Sequence, residues 1–402
     1  MNPEPLVPET GVLAVASHVV SGHVGNKIAV FVLQSMGCDV SALNTVQFSN
    51  HTGYKQFKGT RLAANEITDL WEGLKQAHLD NFDMMLSGYV PGAAGVEAVG
   101  NIAKEMRANA TAAGKPGSFF WVLDPVMGDN GKIYVAEDVV PAYRELIHHA
   151  DLILPNQFEA ELLSGVKITD SASLERAIEV LHDTYNLPHI VITSVSLPIQ
   201  SRSGTPSRSR PASPPQQSQA PATPTMSVVG STRTSDRKPR LFMIQFPVFN
   251  AYFSGTGDMF AALMVVRMRE AITSLPPSLP SFTSSPSSTA TENPNPKASS
   301  VGETASWLSP DDVSPTELPL ARAAEKVLAS MHEVLLRTTE SMERDLDAAV
   351  QRLARRRGVG AGDVRADKDA MHLLRSSAAE LKLARNLACL REPTVEYRAE
   401  RM

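Results

Sequence analysis

Cysteine is nearly absent from this chain, which holds only Cys38 and Cys389. Their spacing fits no metal motif and one pair cannot frame a disulfide scaffold, so a reducing compartment is the default expectation. Long apolar runs are missing as well. No stretch approaches the roughly 18 residues of a membrane span, and Met1 to Thr10, rich in Pro and Glu, carries no signal-peptide pattern. Positive charge is not in excess: the formal net charge is −5 at pH 7. That gives no reason to expect nucleic acid or a membrane surface as a partner. A cytoplasmic protein is the simplest reading, and 402 residues suit one large or two medium domains.

Two stretches have little that can build a core. Residues 199–240 are dominated by Ser, Pro, Thr, Gln and Arg, and residues 273–317 by Ser, Pro and Thr. Neither buries enough apolar surface to offset the entropy of ordering, so both are expected to be disordered. Both lie between patterned segments and read as loop insertions in a single domain over 11–402, since long loops cost little closure entropy. Their Ser-Pro and Thr-Pro pairs are possible phosphorylation sites, with a passive loop the simpler reading.

The patterned segments alternate. Short apolar strands are expected at Gly11 to Ser17, Asp39 to Phe48, Asp83 to Ser87, Phe119 to Leu123, Asp151 to Leu154, His189 to Thr193, Arg240 to Ile244 and Val248 to Phe253. Phe57 to Ala63 reads as a strand outside the main sheet. Helical spacing runs from Asn26 to Met36, Glu66 to His78, Gly95 to Ala113, Val139 to His149, Asn156 to Leu163, Ser173 to Tyr185, Met259 to Arg269, Leu320 to Leu353 and Asp369 to Arg385. This order implies an α/β fold, a mostly parallel sheet with helices on both faces. Ligands in such folds sit beyond the carboxyl ends of the strands. Polar or small residues fall there repeatedly: Ser17, Gly88-Tyr89, Asp124, Asn156, Thr193 and Gly255 to Asp258.

The most informative stretch is Ser254-Gly255-Thr256-Gly257-Asp258, which opens an apolar helix. The first amides of a helix have no partner within it and favour an anion. Gly255 and Gly257 let a phosphate approach the main chain. Asp258 would repel that phosphate as a ligand, but suits a base that takes a proton from an attacking hydroxyl. A helix cap is the competing reading. Asp124, Asp129 and Glu159, at strand ends or a helix start, suit a hard cation such as Mg²⁺, directly or through water. Turn or cap roles compete for each, above all for Asp129 in Gly128-Asp129-Asn130-Gly131. His18, His23 and His51 match no zinc spacing and read as ordinary polar or packed residues. Arg352 and Arg355-Arg356-Arg357 read as a solvated helix end.

Five segments occur in a specific order: Ser17-His18-Val19-Val20-Ser21-Gly22-His23-Val24-Gly25-Asn26, Val46-Gln47-Phe48-Ser49-Asn50-His51-Thr52-Gly53-Tyr54, Asp124-Pro125-Val126-Met127-Gly128-Asp129, Pro155-Asn156-Gln157-Phe158-Glu159-Ala160-Glu161-Leu162-Leu163 and Gly255-Thr256-Gly257-Asp258. Together they resemble the pyridoxal kinase family of the ribokinase-like superfamily, over most of 11–197 and 241–270. The resemblance implies ATP-dependent phosphorylation of the 5′-hydroxymethyl group of pyridoxal, pyridoxine or pyridoxamine. It implies Asp258 as catalytic base, with the Gly255, Thr256 and Gly257 amides as an anion hole. Ser17, Val46, Phe48, Thr52 and Tyr89 match positions around the vitamin ring, and Tyr134 a flap over it. Asp124, Asn156 and Glu159 match the nucleotide and Mg²⁺ side. Thr193 and Ser194 match phosphate- or cation-contacting positions, and Asp129 with Thr193 a site for K⁺. A homodimer is implied too. One departure is Leu154, where many relatives have Thr; it has no hydroxyl oxygen to offer. Two other readings stay open: a related kinase for a hydroxymethylpyrimidine, nucleoside or sugar, and a non-catalytic scaffold that keeps the fold.

Overall fold

The structure, a computed structural model, describes residues 5–196, 225–249, 251–275 and 301–402. Its strands are β1 (Gly11–Val19), β2 (Asp39–Phe48), β3 (Gly59–Arg61), β4 (Met84–Ser87), β5 (Phe120–Leu123), β6 (Gly128–Asp129), β7 (Lys132–Ile133), β8 (Leu152–Ile153), β9 (His189–Val195), β10 (Thr225–Arg233), β11 (Pro239–Pro247) and β12 (Glu400–Arg401). Its helices are α1 (Asn26–Ser35), α2 (Ala64–Gln76), α3 (Ala93–Ala112), α4 (Val139–Leu146), α5 (Gln157–Ser164), α6 (Ser171–Tyr185), α7 (Thr256–Thr273), α8 (Pro319–Arg357), α9 (Ala361–Ala366), α10 (Lys368–Ala378) and α11 (Leu387–Arg391).

Ten strands form one sheet in the order β12-β11-β10-β9-β8-β5-β4-β1-β2-β3. The six from β9 to β2 run parallel. Antiparallel strands extend both edges. Side chains of a strand alternate between faces, and β1 shows the consequence. Val12 and Ala14 enter the core shared with α1, α7 and α8, while Leu13 and Val15 enter the core shared with α2, α3 and α6. Helices thus cover both faces, as the alternation in the sequence implies. Helix α7 is almost wholly apolar because it is enclosed: Met259 to Met268 are all buried, and the one charge among them, Arg267, is paired with Glu270 and the Leu390 and Arg391 carbonyls.

Four expectations need correction. Residues 225–240, inside the first stretch expected to be disordered, form β10, its turn and the start of β11. Strand β10 lies between β9 and β11, so its buried run Ser227 to Thr232 is core. In the second stretch, residues 301–317 pack against the sheet. Trp307 is fully buried, stacks on Phe120 at 4.1 Å between ring centroids, and donates from Nε1 to the Gly117 carbonyl at 2.9 Å. The disorder expected for 199–224 and 276–300 lies outside the described residues. Thirdly, Phe57 to Ala63 contributes β3 to the main sheet, antiparallel to β2. Fourthly, the described part of Val248 to Phe253 is not a strand. The ladder stops at Pro247, and the chain leaves the sheet to bring Gly255 over the strand ends.

Candidate active site

One cleft of ≈ 1220 Å³ opens above the carboxyl ends of the parallel strands, and every site residue named from the sequence lines it. Strand β1 supplies Ser17, just past an irregularity in its register with β2. Strand β2 supplies Val46 and Phe48, which pack with Val19 and, at the margin, Val24 and Tyr89. Thr52 begins a short 3-10 turn over 52–54. Tyr134 follows the β6–β7 hairpin and is 59 % exposed, as suits a flap. Asp124 follows β5, Asn156 follows β8, and Thr193 and Ser194 lie near the end of β9.

Gly255 has φ +83°, and a Cβ there would stand 2.3 Å from the His23 carbonyl oxygen. Gly25 has φ +54°, and a Cβ there would meet the Ser17 carbonyl oxygen at 2.0 Å. Only glycine satisfies both demands. The loop before α1 is thereby pressed onto Ser17 on one side and onto the start of α7 on the other. No side chain caps α7, and its first hydrogen bond of the α type runs from the Met259 amide to the Gly255 carbonyl at 2.9 Å. The amides at its mouth can therefore receive an anion.

Carboxylates crowd this mouth. A methyl group placed on Gly257 would stand 3.9 Å from Oδ2 of Asp124. Burial raises the pKa of Asp124 well above the usual carboxylate value, and the negative charges of Glu159 and Asp258 raise it further. Burial also lifts Asp258 to about 6, against the opposing pull of the Gly25 amide. A carboxyl with a raised pKa and few hydrogen bonds is what a proton-transfer role calls for.

Glu159 and Asn156 are engaged differently. Oε1 of Glu159 accepts from the Met127 amide at 2.8 Å and the Gly128 amide at 3.3 Å, and Oε2 from the Asn156 amide at 2.9 Å. Asn156 returns a cap to the Glu159 amide and donates to the Gly128 carbonyl at 2.8 Å. This reciprocal box fixes the turn after Asp124. Burial still raises Glu159 to about 7, because its amide partners only partly offset desolvation. Asp129 spends both oxygens on Asn130, at 2.8 Å and 2.9 Å. The Thr193 amide donates to the Pro155 carbonyl at 2.9 Å, while its hydroxyl only approaches that oxygen, at 3.5 Å. Among the described residues, no group of three or more His, Cys, Asp or Glu is placed to hold a metal by itself.

Sequence reasoning missed the apolar end of the cleft, where Met226, Phe246, Phe249, Leu328, Met331 and His332 meet. The amphipathic face of α8 was the available signal, but what it faces depends on β10 and β11. It also missed Glu380, 12 % exposed, which receives hydrogen bonds from two loops around the cleft.

A sequence model of the phosphomethylpyrimidine kinase family matches residues 95–231. Among curated proteins, a putative pyridoxal kinase of Schizosaccharomyces pombe is 36 % identical over 259 residues, covering 64 % of this chain and 74 % of that protein. Human pyridoxal kinase is 37 % identical over 266 residues, covering 64 % and 77 %. A solved structure of Leishmania donovani pyridoxal kinase with ADP and pyridoxamine superposes with a TM-score of 0.67. It is 27 % identical and covers 98 % of this chain and 100 % of that one.

Proposed function

Because this chain belongs to the pyridoxal kinase family, we propose that its cleft binds ATP and a vitamin B6 alcohol face to face, with Asp258 as the base between them. The activity is ATP-dependent phosphorylation of pyridoxal, pyridoxine or pyridoxamine on the 5′-hydroxymethyl group. Ser17, Val46, Phe48, Thr52 and Tyr89 hold the ring, and Tyr134 covers it. Thr193 and Ser194 face the nucleotide phosphates. The apolar end of the cleft takes the nucleotide base.

Asp258 takes the hydroxyl proton as the vitamer oxygen attacks the γ-phosphorus; the bond to the β-phosphate oxygen breaks and ADP departs. Phosphoryl transfer depends mainly on positioning and charge neutralisation. The amides of Gly255, Thr256 and Gly257 receive the charge on the transferred group. Closing the flap keeps water from competing.

Mg²⁺ fits the donors present. Asp124 is a buried hard-oxygen donor whose neighbours are negative, and it would hold a cation that relieved that repulsion and neutralised the phosphates. Glu159, its oxygens already taken by three amides, would contribute only indirectly. A K⁺ site fits less well: Asp129 is turned onto Asn130 and Leu154 offers no oxygen, so no step is assigned to it. A homodimer and a cytoplasmic location complete the reading, the latter supported by the free thiols of Cys38 and Cys389.

The single observation that carries the assignment is the placement of Asp258 at the open mouth of α7, in one cleft with Ser17, Thr52 and Asp124. A kinase assay with the three vitamers, a hydroxymethylpyrimidine and a nucleoside tests it. Vitamers are expected to be turned over preferentially, and Asp258→Asn to lower kcat about 10³-fold. Full turnover by that variant would remove the base from the mechanism.

A further inference from the structure

We propose that Glu380 is a positioning residue for the vitamer, clamping the turn that carries Thr52 to the loop that precedes α1. Glu380 does not line the cleft; it lies just beyond α10, in a part of the chain more than 300 residues from both loops. Its Oε2 accepts from the His23 amide at 2.8 Å. Its Oε1 accepts from the Tyr54 hydroxyl at 3.0 Å and faces Nε2 of His51 at 3.2 Å. His51 and Tyr54 in turn pack ring to ring at 4.6 Å. Within α10, His372 reaches the Gly53 carbonyl with Nε2 at 2.9 Å.

These contacts bear on the reaction through the residues they hold. Thr52 stands between His51 and Gly53, both of which are tied down from α10 and Glu380. The other loop runs from His23 to Gly25, where it abuts the start of α7 and Ser17. A single carboxylate therefore sets the spacing between the two loops that flank the vitamer. Burial alone would raise the pKa of Glu380. The hydrogen bonds from His23, His51 and Tyr54 outweigh that and hold it well below the ordinary range, so the clamp stays ionised wherever the enzyme works. The supporting helices have a small core of their own: Val350 and Ala354 of α8, Val364 of α9 and Met371 of α10. This helical arm thus has a task beyond covering the sheet.

The inference deepens the kinase reading and rests on it, so two independent readouts are needed. Glu380→Gln keeps the size but turns an NH₂ group toward a donor. In steady-state assays it is expected to raise the KM for pyridoxal about tenfold, as loss of a charge-assisted hydrogen bond implies. The KM for ATP should stay within about twofold and kcat within about threefold. In the substrate-free protein, amides 21–25 and 51–54 should exchange hydrogen about tenfold faster than in wild type, with the rest unchanged. His372→Ala, on the same arm, should shift both readouts in the same direction by about threefold, and it serves if Glu380→Gln folds poorly. Unchanged exchange at both loops, or an equal rise in the KM of both substrates, overturns the clamp. If wild type phosphorylates no vitamer, the kinase reading fails, while the exchange experiment still decides whether Glu380 holds the loops.

Discussion

The two ends of the parallel strands both bury polar groups, and they do so in opposite ways. At the amino end, Asp151 has each oxygen occupied. Oδ2 accepts from the Trp121 amide at 2.7 Å and pairs with Arg107, and Oδ1 accepts from the Ser306 hydroxyl at 2.6 Å. Beside it, His189 faces the Ser306 carbonyl with Nε2 at 2.7 Å and Thr232 with Nδ1 at 2.8 Å. His182 faces the Leu187 carbonyl with Nδ1 and Ser231 with Nε2, each at 2.8 Å. A carbonyl can only accept, so the nitrogen facing it carries the proton in each ring; burial holds both rings neutral, and the other nitrogen then accepts from the hydroxyl. At the carboxyl end, Asp124 and Asp258 crowd together, without cationic partners among the described residues. Complete pairing marks architecture, and incomplete pairing marks a place that waits for a ligand.

Substitutions at each end should separate these roles. The largest effect expected is the loss of about 10³ in kcat for Asp258→Asn, with a melting temperature equal to or above wild type, because a half-buried, poorly compensated charge has been removed. Asp151→Ala should behave in the opposite sense. It strands the Trp121 amide, the Ser306 hydroxyl and the Arg107 guanidinium, and should lower the unfolding free energy by about 3 kcal/mol in a urea titration. Its kcat should remain within about twofold of wild type. A variant at either end that changed both quantities equally would mean that the ends are mechanically coupled.

The carboxyl end was the more legible of the two in sequence, for a physical reason. Its residues sit in short contiguous motifs, because each strand end and the turn after it must present a fixed backbone geometry to the same ligand. Gly255 was singled out in the sequence, whereas Gly25 stood there only as part of a motif, and the backbone contact that demands it emerges from the structure. The amino end is assembled from distant single residues, and Ser306 was hidden in a stretch whose average composition is that of a loop. Trp307 was the strongest apolar signal there, with only Val301, Ala305, Leu308 and Val313 scattered around it over 301–317. Strand β10 failed for a similar reason: Ser227, Ser231 and Thr232 look like loop residues, yet they are buried between β9 and β11. Glu380 carried no local signal at all, since its partners lie more than 300 residues away.

Acid should also set the two ends against each other. Burial lowers His182 to about 4 and His189 to about 3. An unfolded imidazole takes up a proton below about pH 6.5, whereas these folded ones refuse it. Their contribution is complete above that pH and is lost as pH falls toward the folded values, at up to about 1.4 kcal/mol per unit for each ring. Asp258 has the reverse sign. Its folded pKa of about 6 lies above the unfolded value, so the folded state takes the proton first and gains stability as pH falls from about 6 toward about 4. Wild type should therefore lose less stability on acidification than Asp258→Asn, which keeps the histidine penalty and lacks the offset. Between pH 6 and pH 4.5 the difference should reach about 1.5 kcal/mol in urea titrations. Over the same range kcat/KM of wild type should fall, because the protonated carboxyl that steadies the fold can no longer accept a proton from the vitamer. Parallel stability profiles for the two proteins would show that Asp258 does not titrate in this window, and would remove the physical basis for reading it as the base.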